Sequence, residues 1–473
     1  MDSISRFGNT SRQEHCSSSP DRASVPAGAD SPPSGEPSVS PETDRDWTIL
    51  SYMNGNDKVI EGDVLNAFLF MEQQSRQDRY AMVSELGRAP QSIVHPDGNP
   101  EFNDKIDGDW DGVRRYEVKN GPADSWGHTV WTSMGQHDGK IDSKMIENLG
   151  SLDMSKPEVL EDFLAWGIKK YPAKHYAIVL AGHGNGFLGT QQDYHSHGRD
   201  MSLKNLEKVF ENVREKTGVK PDVLFMDACL MSQAEAVYQI RDTASYLVAS
   251  ENVNYNCLAY FDFLKDFNGK MESGVNVTAR AMAEDMVKAA SGHDRDIPTI
   301  SALNLGKVEA LNGNMKELAS ALLSTTADPA VIRDAMERST RFIPEGRNTK
   351  PLSDYRDLYS VAENLQNDPR IADTAVKAAA GKLMSLIEKD IVTAEHHSES
   401  GVKKESIHGL TVYMPVDSFP KDDDYGRVIT TWKAKDIKPE YLSLDLVKET
   451  GWDSVIEKFA GPPKPLPPSN DWL

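Results

Sequence analysis

Two apolar runs, "HYAIVLAGHG" at 175–184 and "DVLFMDAC" at 222–229, constrain the fold of this chain more than any other feature. Neither alternates apolar with polar residues, so each reads as a strand covered on both faces. Between them, "SLKNLEKVFENVREKTG" (202–218) has helical spacing, with Ser202 as N-cap and Gly218 as the stop. Strand, helix and strand in that order imply a right-handed crossover and two parallel strands of one sheet.

The same alternation runs through the first half of the chain. "WTILSYM" (47–53), "YAMVSEL" (80–86), "VRRYEVK" (113–119) and "YLVAS" (246–250) read as further strands. A helical segment spans Val59 to Gln74. "KPEVLEDFLAWGIKKY" (156–171) places Val159, Leu160, Phe163, Leu164 and Ile168 at helical spacing. Ser155 reads as its N-cap, with Glu158 completing a capping box. "MSQAEAVYQIRDT" (231–243) is predicted as a helix starting at Met231. The predicted fold class is α/β, with a mostly parallel central sheet.

In an open parallel sheet, sites gather at the carboxyl ends of the strands. His183 follows one buried strand and Cys229 the other. If these strands are neighbours, their ends lie about 5 Å apart. A cysteine thiolate is the nucleophile, and an adjacent imidazole can take its proton. A helix starting at Met231 would favour the thiolate through its dipole. Gly184 allows close backbone approach, and its N–H together with that of Cys229 forms a candidate oxyanion site. Asp227, two residues before Cys229, shares its side of an extended segment and can pair with a cationic side chain. The bland alternatives are a small buried core cysteine, a satisfied histidine and an acid that caps the next helix.

"WTILSYMNGND", "LDMSKPEVLEDFLAWGIKKYPAKHYAIVLAGHGNGF", "DVLFMDACLMSQAEAVYQIRDTASYLVASEN" and the late "GLTVYMP" resemble, in order, the clostripain family of clan CD cysteine peptidases. The resemblance runs with gaps from Trp47 to Pro415 and is densest over Leu152–Asn252. It implies a caspase-like α/β/α sandwich, His183 as the catalytic histidine, Cys229 as the nucleophile, and Asp227 as an acid of the pocket that takes Arg or Lys before the cut bond. It implies protein or peptide substrates with basic residues, and self-cleavage in the loop after His183, "GNGFLGTQQDYHSHGRDMS". Arg199 is the only Arg or Lys there before Lys204. Some relatives use calcium; "KDDDYG" (421–426) is a run that can hold a hard cation, and no cofactor is otherwise required. The chain departs from the family in "ENVNYNCLAYFDFL": Leu258 stands in place of a Trp, and Asn254 and Asn256 in place of acids. That departure keeps open a second reading, a peptidase-like effector or binding module with weakened turnover. A third is metal-assisted hydrolysis through His195, His197 and Asp193.

Among 473 residues, 73 are Asp or Glu against 52 Lys or Arg, a net charge of −21 that argues against nucleic-acid backbone binding as the main activity. Three scattered cysteines, Cys16, Cys229 and Cys257, give no disulfide framework. No apolar run approaches the roughly 20 residues that span a bilayer. Residues 1–46 are Ser/Pro-rich and read as a disordered tail. They lack the apolar core of a signal peptide, leaving either a plain flexible tail or an address read by a specialised secretion apparatus. Residues 47–275 read as the catalytic core, 276–460 as a mainly helical part with a late strand at 409–415 completing the fold, and 461–473 as a Pro-rich tail.

Overall fold

The computed structural model describes residues 45–461, apart from 58, 77–78, 91–105, 109, 120–125, 133–134, 138, 255–258, 294–296, 341–354, 398–406, 416–420, 423–427 and 430–438. Its centre is a nine-stranded sheet. In chain order the strands are β1 (Trp47–Gly55), β2 (Ala81–Arg88), β3 (Gly112–Glu117), β4 (Lys144–Gly150), β5 (His175–Ala181), β6 (Val223–Asp227), β7 (Tyr246–Ala249), β8 (Thr299–Asn304) and β9 (Val392–His397). Across the sheet they run β9-β8-β7-β6-β5-β1-β2-β3-β4. The five central strands, β7-β6-β5-β1-β2, are parallel. At each edge two further strands are joined by antiparallel pairing.

Residue-by-residue alternation along the strands sends one set of side chains to each face. Leu50, Ile178, Leu180, Leu224, Met226 and Leu247 enter one buried cluster, with α2 (Pro157–Lys170) and α3 (Leu203–Thr217). Ile49, Ala177, Val179, Val223, Phe225 and Val248 enter the other, with α1 (Glu61–Gln74) and the helices Ala259–Glu272 and Ala279–Ala290. The strands are therefore apolar without alternation because helices cover both faces.

The helix ends follow local chemistry in one place and depart from it in another. Ser202 accepts from the Asn205 N–H at the start of α3, and Gly218 ends it at φ 74°. The expected capping box at α2 does not form. Its N-cap is Lys156, and the Ser155 hydroxyl instead bonds Asp153 and Ser196. The predicted helix from Met231 is also shorter, Ala234–Gln239. Residues 230–233 bridge to other elements instead: Leu230 and Ser232 donate to Asn252 and Ser250, and Gln233 bridges Thr411.

Beyond residue 276 the chain contributes helices and the two sheet-edge strands β8 and β9. The "GLTVYMP" run forms a strand at Thr411–Tyr413 that pairs with Tyr355–Asp357, outside the main sheet. No helix among the described residues is long and apolar enough to cross a membrane.

Candidate functional site

The chain runs from β1 to β2 on one side and returns through β5 on the other side of β1. This reversal of direction is the switch point at which open α/β sheets form their crevice. Three residues follow the carboxyl ends there: Asp57 after β1, His183 after β5 and Cys229 after β6.

The strands carrying His183 and Cys229 are adjacent and in register, with Ala181 opposite Asp227. Just beyond the ladder the Gly182 N–H donates to the Asp227 carbonyl at 3.2 Å. Gly184 then passes directly over the Cys229 main chain. A Cβ at 184 would lie 2.2 Å from the Cys229 carbonyl oxygen and 2.9 Å from its nitrogen. Glycine is needed here for close approach to Cys229 itself. The bonds beside Gly184 run from Gln191 N–H to His183 O and from Asn185 N–H to Gly189 O, so its own N–H stays outside that bridge.

The His183 imidazole Nε2 lies 3.1 Å from Asp57 Oδ1. Sequence reading did not single out Asp57, although "NGND" sits at the end of the first strand, where the switch-point rule directs attention. A carboxylate on one ring nitrogen fixes the ring's orientation and stabilises the imidazolium.

Cys229 is half-buried. Its Sγ accepts from the Asn254 N–H at 3.4 Å and lies 3.7 Å from the Asn254 carbonyl. Burial pushes the thiol pKa up and the nearby Asp227 charge adds to that, while the Asn254 main-chain contact opposes them. The first two effects favour the protonated thiol, and the expected help from a helix dipole is absent, since the helix begins at Ala234, has six residues and starts past an irregular stretch.

Asp227 accepts from Tyr260 OH at 2.7 Å and Asn254 Nδ2 at 3.3 Å. It does not cap the following helix, whose N-cap is Gln233. Asn254 touches both Asp227 and Cys229, so these two groups share one side of the strand end, as their i, i+2 spacing required. Tyr260 is a further site residue that the sequence reading passed over. Asn256, Cys257 and Leu258 lie outside the described residues, as does Cys16.

The segment after His183 is an ordered hairpin, Thr190–Asp193 against Arg199–Met201. Arg199 is exposed and its Nε donates to the Ser196 carbonyl at 3.3 Å. His195 does not join His197 in a ligand set. Its Nδ1 bonds Asp193 at 2.8 Å and its Nε2 bonds Ser151 at 2.7 Å. No group of three His, Cys, Asp or Glu suited to a metal is present among the described residues. Of "KDDDYG", residues 423–426 are outside the described residues, so the calcium expectation acquires no site.

A sequence model of the clostripain family matches residues 123–459. The chain belongs to the clostripain family. Clostripain of Hathewaya histolytica is 26% identical over 226 residues, which are 44% of this chain and 39% of that protein, so the match spans well under half of the relative's length. A secreted C11 cysteine protease from Bacteroides thetaiotaomicron, solved in complex with an irreversible peptide inhibitor, shares the fold at a TM-score of 0.54 and 14% identity, covering 86% of this chain and 99% of that one. An inactive zymogen C11 protease from Parabacteroides distasonis gives 0.55 and 15%, again over 86% and 99%. At these identities the two structures speak for the fold, which is the α/β/α sandwich with a mostly parallel sheet expected from the strand pattern.

Proposed function

We propose that this member of the family is a cysteine endopeptidase that cleaves after Arg or Lys with Cys229 as nucleophile and His183 as its proton acceptor. The observation that carries this reading is the placement of His183, already paired with Asp57, and of Cys229 at the ends of adjacent parallel strands, with Gly184 against the Cys229 main chain. In the reaction Cys229 Sγ attacks the scissile carbonyl carbon as its proton passes to His183. The N–H groups of Gly184 and Cys229 receive the developing oxyanion. His183 returns the proton to the leaving amine as the C–N bond breaks. Water then hydrolyses the thioester and restores the thiol.

Asp227 supplies the charge for a basic side chain in the pocket. Tyr260 and Asn254 donate to the carboxylate and hold it in place. Self-cleavage after Arg199 agrees with the same preference. Because Arg199 is paired in a hairpin, that ladder must open before its bond can enter the cleft, so the step is slower than cleavage of an unfolded peptide.

The test is turnover of fluorogenic peptides varied before the scissile bond. Cys229→Ala and His183→Ala should each lose activity by orders of magnitude while Cys257→Ala and Cys16→Ala keep most of it. Full activity in Cys229→Ala would overturn the mechanism.

A further inference from the structure

The hairpin at 190–201 is tied to both members of the His183–Asp57 pair. On one side, Thr190 Oγ1 and the Gln191 N–H donate to the His183 carbonyl at 2.8 and 2.9 Å. On the other, Asn54 Nδ2 donates to the Gln192 carbonyl at 3.1 Å, and the Tyr194 N–H to the Asn56 carbonyl at 2.9 Å. Asn54 lies near the end of β1, and Asn56 in the turn that follows it and delivers Asp57.

Asp193 is the hub of this arrangement. Its side chain is fully buried, yet four donors converge on it. Asn56 Nδ2 and the Met154 N–H reach Oδ2 at 3.0 and 2.8 Å. The His195 N–H and Nδ1 reach Oδ1, each at 2.8 Å. The two Asp193 oxygens face all four of these nitrogens, whereas an amide would set its own NH₂ against two of them. Moving the Asp193 side chain would leave these buried partners without their acceptor, so the arrangement resists loosening.

We infer that Asp193 is a positioning residue for the site, which through Asn56 holds the β1 turn so that Asp57 stays against the His183 ring. The inference takes His183 and Asp57 as the working pair and so rests on the proposed function, but its test does not require turnover. It also bears on processing. Asp193 and His195 precede Arg199 in the chain, so a cut after Arg199 leaves the hub joined to β5 and to His183. Among the contacts that such a cut leaves spanning two pieces is the one from Asn185 Nδ2 to Asp200 Oδ1 and Oδ2, at 2.8 and 3.1 Å.

The readout is the position of the His183 ring signals at fixed pH, followed by NMR in full-length Cys229→Ala protein with ¹³C-labelled histidine rings; the His183 signal is assigned by its loss in His183→Ala. Asp57 is the charged group set against this ring. Asp227 stands at the end of the next strand, and Asp200 lies beyond Asn185. Replacing the carboxylate by Asp57→Asn should displace the His183 ring signals from their wild-type position. Asp193→Asn should displace them in the same direction by at least half as much, and the double variant should go no further than Asp57→Asn alone. In active protein, Asp193→Asn should lower kcat about tenfold with KM unchanged. If Asp193→Asn fails to fold, Asn56→Ala cuts the same link while leaving Asp193 three of its donors, and it should give the same shift. A folded variant with unmoved His183 ring signals, or a double variant whose displacements add, overturns the inference. A wild type without peptidase activity that still shows the non-additive shifts would refute the proposed function and leave this inference standing.

Discussion

Gly184→Ala is the smallest change that tests the geometry of the site. The added methyl group would sit 2.2 Å from the Cys229 carbonyl oxygen, 2.9 Å from the Cys229 nitrogen and 2.9 Å from the Ala228 Cβ. Carbon and oxygen approach without repulsion to about 3.3 Å, so the two backbones must separate by about 1 Å. These atoms are main chain and a Cβ, with no flexible side-chain end to swing aside. Overpacking of this kind costs about 1–3 kcal/mol, which should appear as a fall of a few degrees in Tm. The loss in catalysis should be larger. A displacement of about 1 Å between reacting groups costs on the order of 100-fold in rate, and here it moves the Gly184 N–H away from the Cys229 N–H as well as the imidazole from the thiol. The assay is kcat and KM on an Arg peptide, beside a thermal melt. The expected result is kcat down about 100-fold, KM changed little and Tm lowered slightly. Near-normal kcat with unchanged Tm would show that residue 184 does not pass over Cys229, and the assignment of an oxyanion site to these two amides would fall with it.

Asp227→Asn should cut the rate on Arg and Lys peptides at least tenfold while narrowing their advantage over neutral residues, since a charge-assisted pair is worth about 1.5–3 kcal/mol; unchanged selectivity in kcat/KM would dismiss Asp227 as the pocket acid. Tyr260→Phe removes one donor to that carboxylate and should raise KM for basic substrates several-fold with kcat nearly constant, measured on the same peptides. Glu235 gives a stability prediction whose sign follows from burial. Its carboxyl is raised from 4.5 to about 7 by desolvation, against smaller opposing hydrogen bonds that include Tyr441 and the Tyr413 N–H. The folded state holds this proton more tightly than the unfolded state, so stability is greatest below about pH 4.5 and falls as pH rises to 7, by roughly 3 kcal/mol for a shift of that size. Glu235→Gln mimics the protonated form, so its Tm should match the wild type near pH 5 and exceed it near pH 8; parallel Tm curves would refute the burial argument. Finally, intact mass spectrometry should find fragments meeting at Arg199–Asp200 in aged wild type and none in Cys229→Ala, with a wild type that stays whole while fully active counting against self-processing.

The strands were legible because burial on both faces leaves a local mark: every residue of "AIVLA" and "VLFM" must be apolar when helices cover both sides. Ser202 and Gly218 were legible because a cap is decided by atoms within four residues. Ser155 misled for the complementary reason. Its hydroxyl had a local use as a cap, but the fold brings Ser196 and Asp153 within 2.6 Å, and those partners prevailed. The loop after His183 looked like an open polar segment because polar residues usually mean solvent. Here their partners, Asn54, Asn56 and Met154, come from distant parts of the chain, and the segment folds into a hairpin.

The sequence by itself determined that His183 and Cys229 follow buried parallel strands, because strand position and chemistry are both written locally. Only the tertiary structure decided what surrounds them. The order of strands in the sheet places the end of β1 beside that of β5, which brings Asp57 to His183. The return of the chain after β7 carries Asn254 to Cys229 and, with Tyr260, to Asp227. Strand order and such returns leave no periodic trace, because they are settled by which apolar faces pack together across the whole molecule, and no window of the sequence contains both halves of those contacts.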